Sequence, residues 1–171
     1  DELKKDFIVE SGLAKGIDFL VKYNDQQTSL WMVYSLGKVT RTDAFGTYAP
    51  HYDRRHNLNF VGSYIFGEDK SWTFDARWNF GSGFPFTMTQ GYYENLSFED
   101  GIATDVTQTN DELGVIYADY NLGQMPSYHR MDVSIKKQIK FSKRSILETS
   151  LSISNLYNRA NIFYYDQITD S

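Results

Sequence analysis

The sequence predicts an all-β chain of the kind that forms a transmembrane antiparallel up-and-down β-barrel, and three observations predict it. Segments of about ten residues alternate apolar with polar side chains, the period of a strand whose two faces meet different surroundings. Short polar connections alternate with long ones. Aromatic residues make up 16% of the 171 residues, with 13 Tyr, 12 Phe and 3 Trp, an abundance that suits girdles at a membrane interface.

Strands are expected near residues 13–23, 29–39, 57–67, 71–81, 129–141 and 146–157. In the first, Ile17, Phe19, Val21 and Tyr23 oppose Asp18, Leu20 and Lys22. In the second, Leu30, Met32, Tyr34 and Leu36 oppose Trp31, Val33 and Ser35. The third sets Leu58, Phe60, Gly62, Tyr64 and Phe66 against Asn57, Asn59, Val61, Ser63 and Ile65. The fourth is the clearest, with Trp72, Phe74, Ala76, Trp78 and Phe80 against Thr73, Asp75, Arg77 and Asn79. The fifth sets Met131, Val133, Ile135 and Ile139 against Arg130, Asp132, Ser134, Lys136, Gln138 and Lys140, and the sixth sets Leu147, Thr149, Leu151 and Ile153 against Glu148, Ser150, Ser152 and Ser154. A slip of one residue would exchange the faces of any of these strands, so the register is strongly specified.

A soluble sheet turns such an aromatic face inward, and a membrane barrel turns it to lipid. The barrel reading places Phe74, Trp78, Tyr34, Tyr64 and Leu151 outward and exposed, with Asp75, Arg77, Arg130, Asp132 and Glu148 lining a polar interior. A Lys or Arg on the lipid face costs roughly 2–4 kcal/mol at the midplane and almost nothing at the interface. Within the strand centres Lys137 alone falls on the apolar face, close enough to the Phe141–Ser145 turn to snorkel or to sit beside a bulge.

The connections Asn24–Ser29, Gly67–Ser71 and Phe141–Ser145 are short, whereas Gly37–Arg55 and Ser82–Ser127 are long. Outer-membrane barrels keep short turns in the periplasm and long loops outside, so the first strand runs inward and the sixth runs outward, ending near Asn158. The alternatives are a passive small barrel or adhesin of about 8 strands, and a soluble all-β sandwich acting as a binding module. Six strands cannot close around a lumen, so residues 1–171 are expected to be a fragment of a longer barrel.

Composition narrows the function classes. The formal charge is -5 with a pI near 5.1, and no basic run suggests nucleic acid. Mean hydropathy is -0.49, and no apolar run approaches the length of a membrane helix, a measure blind to barrels. The absence of Cys removes disulfides, thiol catalysis and Cys-based zinc sites.

Gly12-Leu-Ala-Lys-Gly-Ile-Asp-Phe19, Trp31 to Leu36, Tyr48-Ala-Pro-His-Tyr-Asp-Arg-Arg-His56-Asn-Leu-Asn59, Trp78 to Pro85, Pro126-Ser-Tyr-His-Arg-Met-Asp132 and Asn155-Leu-Tyr-Asn158 follow one another in order. Together, from about Gly12 to Asp166, they resemble the C-terminal barrel region of TonB-dependent outer-membrane receptors, particularly those of Bacteroidetes. The resemblance implies a barrel of about 22 strands with a plugged lumen. It implies uptake of a scarce extracellular ligand (an iron-siderophore, haem, cobalamin, glycan or peptide), driven by TonB acting on the plug. The sequence has no recognisable plug, TonB box or closing aromatic strand, so the expected partners are outer-membrane lipid, the rest of the same receptor, TonB through the absent plug and a small ligand. The chain's ending does not resemble the glycan-importing class that pairs with a surface lipoprotein.

No enzymatic role, cofactor or metal is expected. His51, Asp53 and His56 carry ligand chemistry, but Arg54 and Arg55 would repel a cation, and the structural reading has Asp53 pair with the arginines at the strand mouth. Asp75 with Arg77, and Arg130 with Asp132, sit two apart on one strand face, where they pack against wall or plug or guide a substrate. Glu94, Glu99 and Asp100 lie in a loop without the cleft that acid/base hydrolysis needs. That loop also carries Tyr92, Tyr93, Tyr117 and Tyr120, which either contact ligand or pack the loop on itself.

Overall fold

The computed structural model describes residues 10–44, 46–94, 113–142 and 144–162, and no helix occurs among them. The strands are β1 (Ser11–Asn24), β2 (Thr28–Asp43), β3 (Gly46–Tyr48), β4 (His56–Phe66), β5 (Trp72–Gly81), β6 (Pro85–Phe86), β7 (Thr89–Glu94), β8 (Leu113–Tyr117), β9 (Gly123–Gln124), β10 (Tyr128–Ser142) and β11 (Ser145–Ile153). The main sheet is antiparallel in the order β1-β2-β4-β5-β10-β11, with β3 paired to β2, and two short ribbons, β6-β9 and β7-β8, stand apart from it. All six expected strands are therefore present, paired in chain order. The sheet is open: no closed barrel is formed among the described residues.

Alternation fixes the register. Phe19 stands opposite Tyr34, Tyr34 opposite Leu58, Leu58 opposite Phe80 and Phe80 opposite His129. Nearer the short turns, Tyr64 faces Phe74, Phe74 faces Ile135 and Ile135 faces Leu151. Each cross-strand pair adds side-chain contact on one face, and rings stack along it, as Tyr64 does on Phe66 and Phe66 on Trp72. The result is one continuous apolar face, yet apart from Pro50 in a loop no apolar side chain is buried among the described residues. Phe74 is 41% exposed and Leu151 66%. Tyr64 is exposed as expected, whereas Tyr34 and Trp78 are half-buried because neighbours cover them. Tyr34 bonds His56 and stacks on Phe19, and the Trp78 indole N–H donates to the Tyr157 hydroxyl at 3.1 Å.

Lys137 shows how a cation is accommodated on that face. Its ammonium lies 4.8 Å from the Trp72 ring centre and reaches the β4–β5 turn, where it meets the Ser71 hydroxyl and stands 3.7 Å from Asp69. The charge thus leaves the apolar face at its edge. The bulge in this hairpin lies farther on, between Lys140 and Ser142.

Three boundaries differ from expectation. The segment Gly37–Arg55 is not loop throughout, since β2 runs on to Asp43 and turns back through β3, with Arg41 held by Glu10 at 2.7 Å. The span 82–127 holds both ribbons. The sixth strand stops at Ile153 rather than near 157. Asn155 and Asn158 take left-handed φ values of 53° and 50°, and the Asn155 side chain bonds Arg159 N and O across the turn. An amide side chain tolerates that conformation better than most, which ends the strand.

At the other end the turns are tied by carboxylates. Asp25 accepts the N–H groups of Gln27 and Thr28 at 2.7 Å each, and the Tyr23 hydroxyl at 2.8 Å. Those backbone N–H bonds first, and the Tyr23 bond after them, hold its carboxyl below the ordinary value of 3.8. Because the folded pKa is depressed, the bonds stabilise the turn above pH 3.8 and are lost as pH falls through the folded value. Amide exchange at Gln27 and Thr28 should therefore quicken in acid, beyond its intrinsic pH dependence, and Asp25→Ala should abolish that excess. An acid response unchanged in Asp25→Ala would assign it elsewhere.

Candidate functional site

At the end of the sheet opposite these turns, the β3–β4 loop is folded around a buried carboxylate. Asp53 is 5% exposed, accepts the Val39 N–H at 2.8 Å and stands 3.5 Å from the Arg55 guanidinium. Its own N–H donates to the carbonyl of Pro50, which is fully buried. The expectation that Asp53 pairs with both arginines is corrected in one respect. Arg54 turns away and lies over the Phe84 ring at 4.2 Å, in a hollow that exists because residue 81 is glycine. A Cβ at Gly81 would stand 2.7 Å from that guanidinium.

The HYDRRH residues are not gathered on one point. The His51 ring meets Tyr52 edge-on at 5.2 Å, and His56 Nδ1 bonds the Tyr34 hydroxyl at 2.8 Å on the apolar face. Among the described residues no three His, Asp or Glu side chains come together as a metal-binding group. Glu94 ends β7, and its side chain, Glu99 and Asp100 lie outside the described residues.

The polar face of the sheet is a ladder of paired charges. Arg130 bonds Asp132 at 2.7 Å along its strand, as the spacing suggested. Asp75 instead pairs with Lys136 at 2.9 Å and accepts the Ser134 hydroxyl at 3.2 Å, both across the β5–β10 ladder, while Arg77 stands opposite Asp132 in the register. Asp75 thus takes its partners from β10, Ser134 directly opposite and Lys136 diagonal to it, rather than from Arg77 on its own strand. Glu148 accepts the Gln138 amide at 3.0 Å. A cavity of about 350 Å³ lies over this ladder, lined by Asp75, Arg77, Asp132, Lys136 and Ser152 among others.

The four tyrosines are exposed but do not form one patch. Tyr92 stands opposite Val115 and Tyr93 opposite Gly114, so the two point to opposite faces of the β7–β8 ribbon. Tyr117 lies two residues beyond Val115 and shares the Tyr92 face. The Tyr93 ring fills the space above Gly114, where a Cβ would meet it at 2.3 Å. Tyr120 lies in the turn after β8, its ring 4.9 Å from that of Tyr48. Each ring is at least half exposed even so.

Sequence reasoning missed Ser82, Gly83 and Asn121. Ser82 is buried and its hydroxyl accepts the His56 N–H at 3.0 Å, closing the mouth between β4 and β5. Asn121, two residues before Gly123, carried a turn signal in its residue type but no hint of its distant partners. No protein-family model, curated protein or solved structure matches the chain.

Proposed function

We propose that the chain is part of the barrel wall of an outer-membrane receptor that imports an extracellular ligand in a TonB-dependent manner, its apolar face against lipid and its polar face toward a plugged lumen. The observation that supports this best is the continuous apolar face, which no other described element covers. Soluble monomers rarely expose so large an apolar surface, and a sandwich would need a second sheet over it. The 11 residues of β4 and the 10 of β5 match the roughly 9–11 tilted residues that cross a hydrocarbon core. Charges keep to the opposite face or, like Lys137, to its edge. In this reading the sheet's free edges, β1 and β11, pair with further strands of the same receptor. The ribbons and the β3–β4 loop are extracellular, where Tyr92, Tyr117 and Tyr120 offer rigid contact area with hydrogen-bonding tips.

The test is cellular. A strain lacking the gene should lose uptake of one among labelled iron-siderophore, haem, cobalamin, oligosaccharide or oligopeptide, and deletion of TonB should give the same loss. The protein should fractionate with outer membranes and migrate differently on gels with and without heating. Recovery in the soluble fraction, or uptake of all these ligands unchanged in the deletion strain, would overturn the proposal.

A further inference from the structure

The β7–β8 ribbon packs on no strand of the main sheet. Its internal pairing fixes the ribbon's shape but not its direction, and a ribbon tethered only by its chain ends would sample many orientations. Something must set where its exposed rings point.

We infer that Asn121 is the positioning residue that sets the direction of this ribbon, by joining three segments distant in sequence. Its side-chain N–H donates to the Ala49 carbonyl at 2.8 Å, 72 residues away in the β3–β4 loop. Its Oδ1 accepts the Thr87 hydroxyl at 3.3 Å, and its backbone N–H donates to the same Thr87 oxygen at 3.1 Å, so the β6–β7 link is held as well. Both ends of the amide are engaged. The backbone takes φ 55°, a left-handed conformation that Asn tolerates better than most residues and that turns the side chain back toward its partners.

The consequence is local rigidity at one point. Ala49 follows Tyr48 and lies on the loop that buried Pro50 and Asp53 anchor to β2, so the clasp transfers the order of the main sheet to the ribbon. The Tyr48–Tyr120 ring contact forms beside it, which places Tyr120 against that loop. Directly before the clasp, the Ala118 N–H donates to the Met88 carbonyl at 2.8 Å, closing the base of the ribbon. A surface held this way is preorganised, and a ligand meeting it loses less affinity to ordering the loop. That ligand rests on the receptor reading above. The positioning itself does not.

Amide hydrogen exchange of the chain in detergent micelles tests it without any ligand. Asn121→Gly keeps the left-handed backbone and removes both side-chain bonds of the clasp, and Thr87→Val removes the hydroxyl that two of the bonds share. Each should speed exchange at Ala118 and residue 121 by about tenfold, the scale of one net hydrogen bond, while amides of Val61 and Ala76 in β4 and β5 stay unchanged. Thr87→Ser restores the hydroxyl and should exchange within about twofold of the parent. Unchanged exchange in both disrupting variants would overturn the inference, as would equal acceleration in β4 and β5 or failure of Thr87→Ser to restore protection. A chain with the expected local response that imports nothing would instead count against the receptor reading and leave the clasp standing.

Discussion

Replacing Ile135 by Arg should destabilise the folded chain by about 2–4 kcal/mol in phospholipid vesicles, whereas Ser134→Arg, one residue away, should cost less than about 1 kcal/mol. Ile135 lies at mid-length of β10, between Phe74 and Leu151 on the apolar face. A guanidinium there would sit near the middle of the hydrocarbon, too far from either interface to snorkel fully. Ser134 faces the other way, where its hydroxyl bonds Asp75, and an Arg in its place meets that carboxylate. The measurement is urea-induced unfolding of each variant in vesicles, followed by tryptophan emission. The same pair measured in water would reverse the order for a soluble open sheet, because Ile135→Arg would replace a half-buried apolar side chain by one that water solvates. Equal effects of the two substitutions in vesicles would remove the lipid-facing assignment of this surface.

Why the main sheet was legible and the loop end was not follows from how far each signal reaches. Three of the five pairings in the main sheet cross short turns, and period-2 alternation fixes both face and register throughout, so Phe60 against Trp78 or Val133 against Ile153 follows from sequence once the turns are placed. Residues 38–43 of β2 carry no such alternation. Lys38, Thr40 and Thr42 alternate with Val39, Arg41 and Asp43, polar on nearly both sides, and read as loop even though β1 and β3 pair with them. Strands that continue beyond the apolar band lose the signal by which strands are recognised. The sequence points to Asp53 as a structural carboxylate, but the choice between Arg54 and Arg55 is not visible in it. It depends on the Phe84 ring and on the absence of a side chain at Gly81, both far along the chain. The ribbons fail for the same reason: β7 and β8 pair across a long intervening segment, and Asn121 meets Ala49 only once the sheet is formed.

Gly83 marks the second large effect. Its Cα lies so close to the β9–β10 connection that a Cβ would stand 1.6 Å from the Met125 carbonyl oxygen and 3.1 Å from that of Pro126. Both atoms belong to backbone, so no rotamer change relieves the overlap, and the two segments must separate. That separation would break the Met125 N–H bond to the Phe84 carbonyl, now 2.9 Å, and strain the pairing of Pro85 with Gln124. Overpacking of this kind costs about 1–3 kcal/mol where side chains can adjust, and a backbone clash belongs at the upper end. Gly83→Ala should therefore unseat the β6–β9 ribbon, removing exchange protection at Met125 and opening the 82–88 and 118–125 segments to protease, while the paired amides of β4 and β5 stay protected. Gly91 provides the control, since nothing lies within 4 Å of the position its Cβ would take. Gly91→Ala should leave both readouts within about twofold of the parent, as surface substitutions generally do. If Gly83→Ala behaved like Gly91→Ala, the close approach of the two segments would not hold the ribbon, and its seating would have to come from Asn121, Arg54 and Ser82.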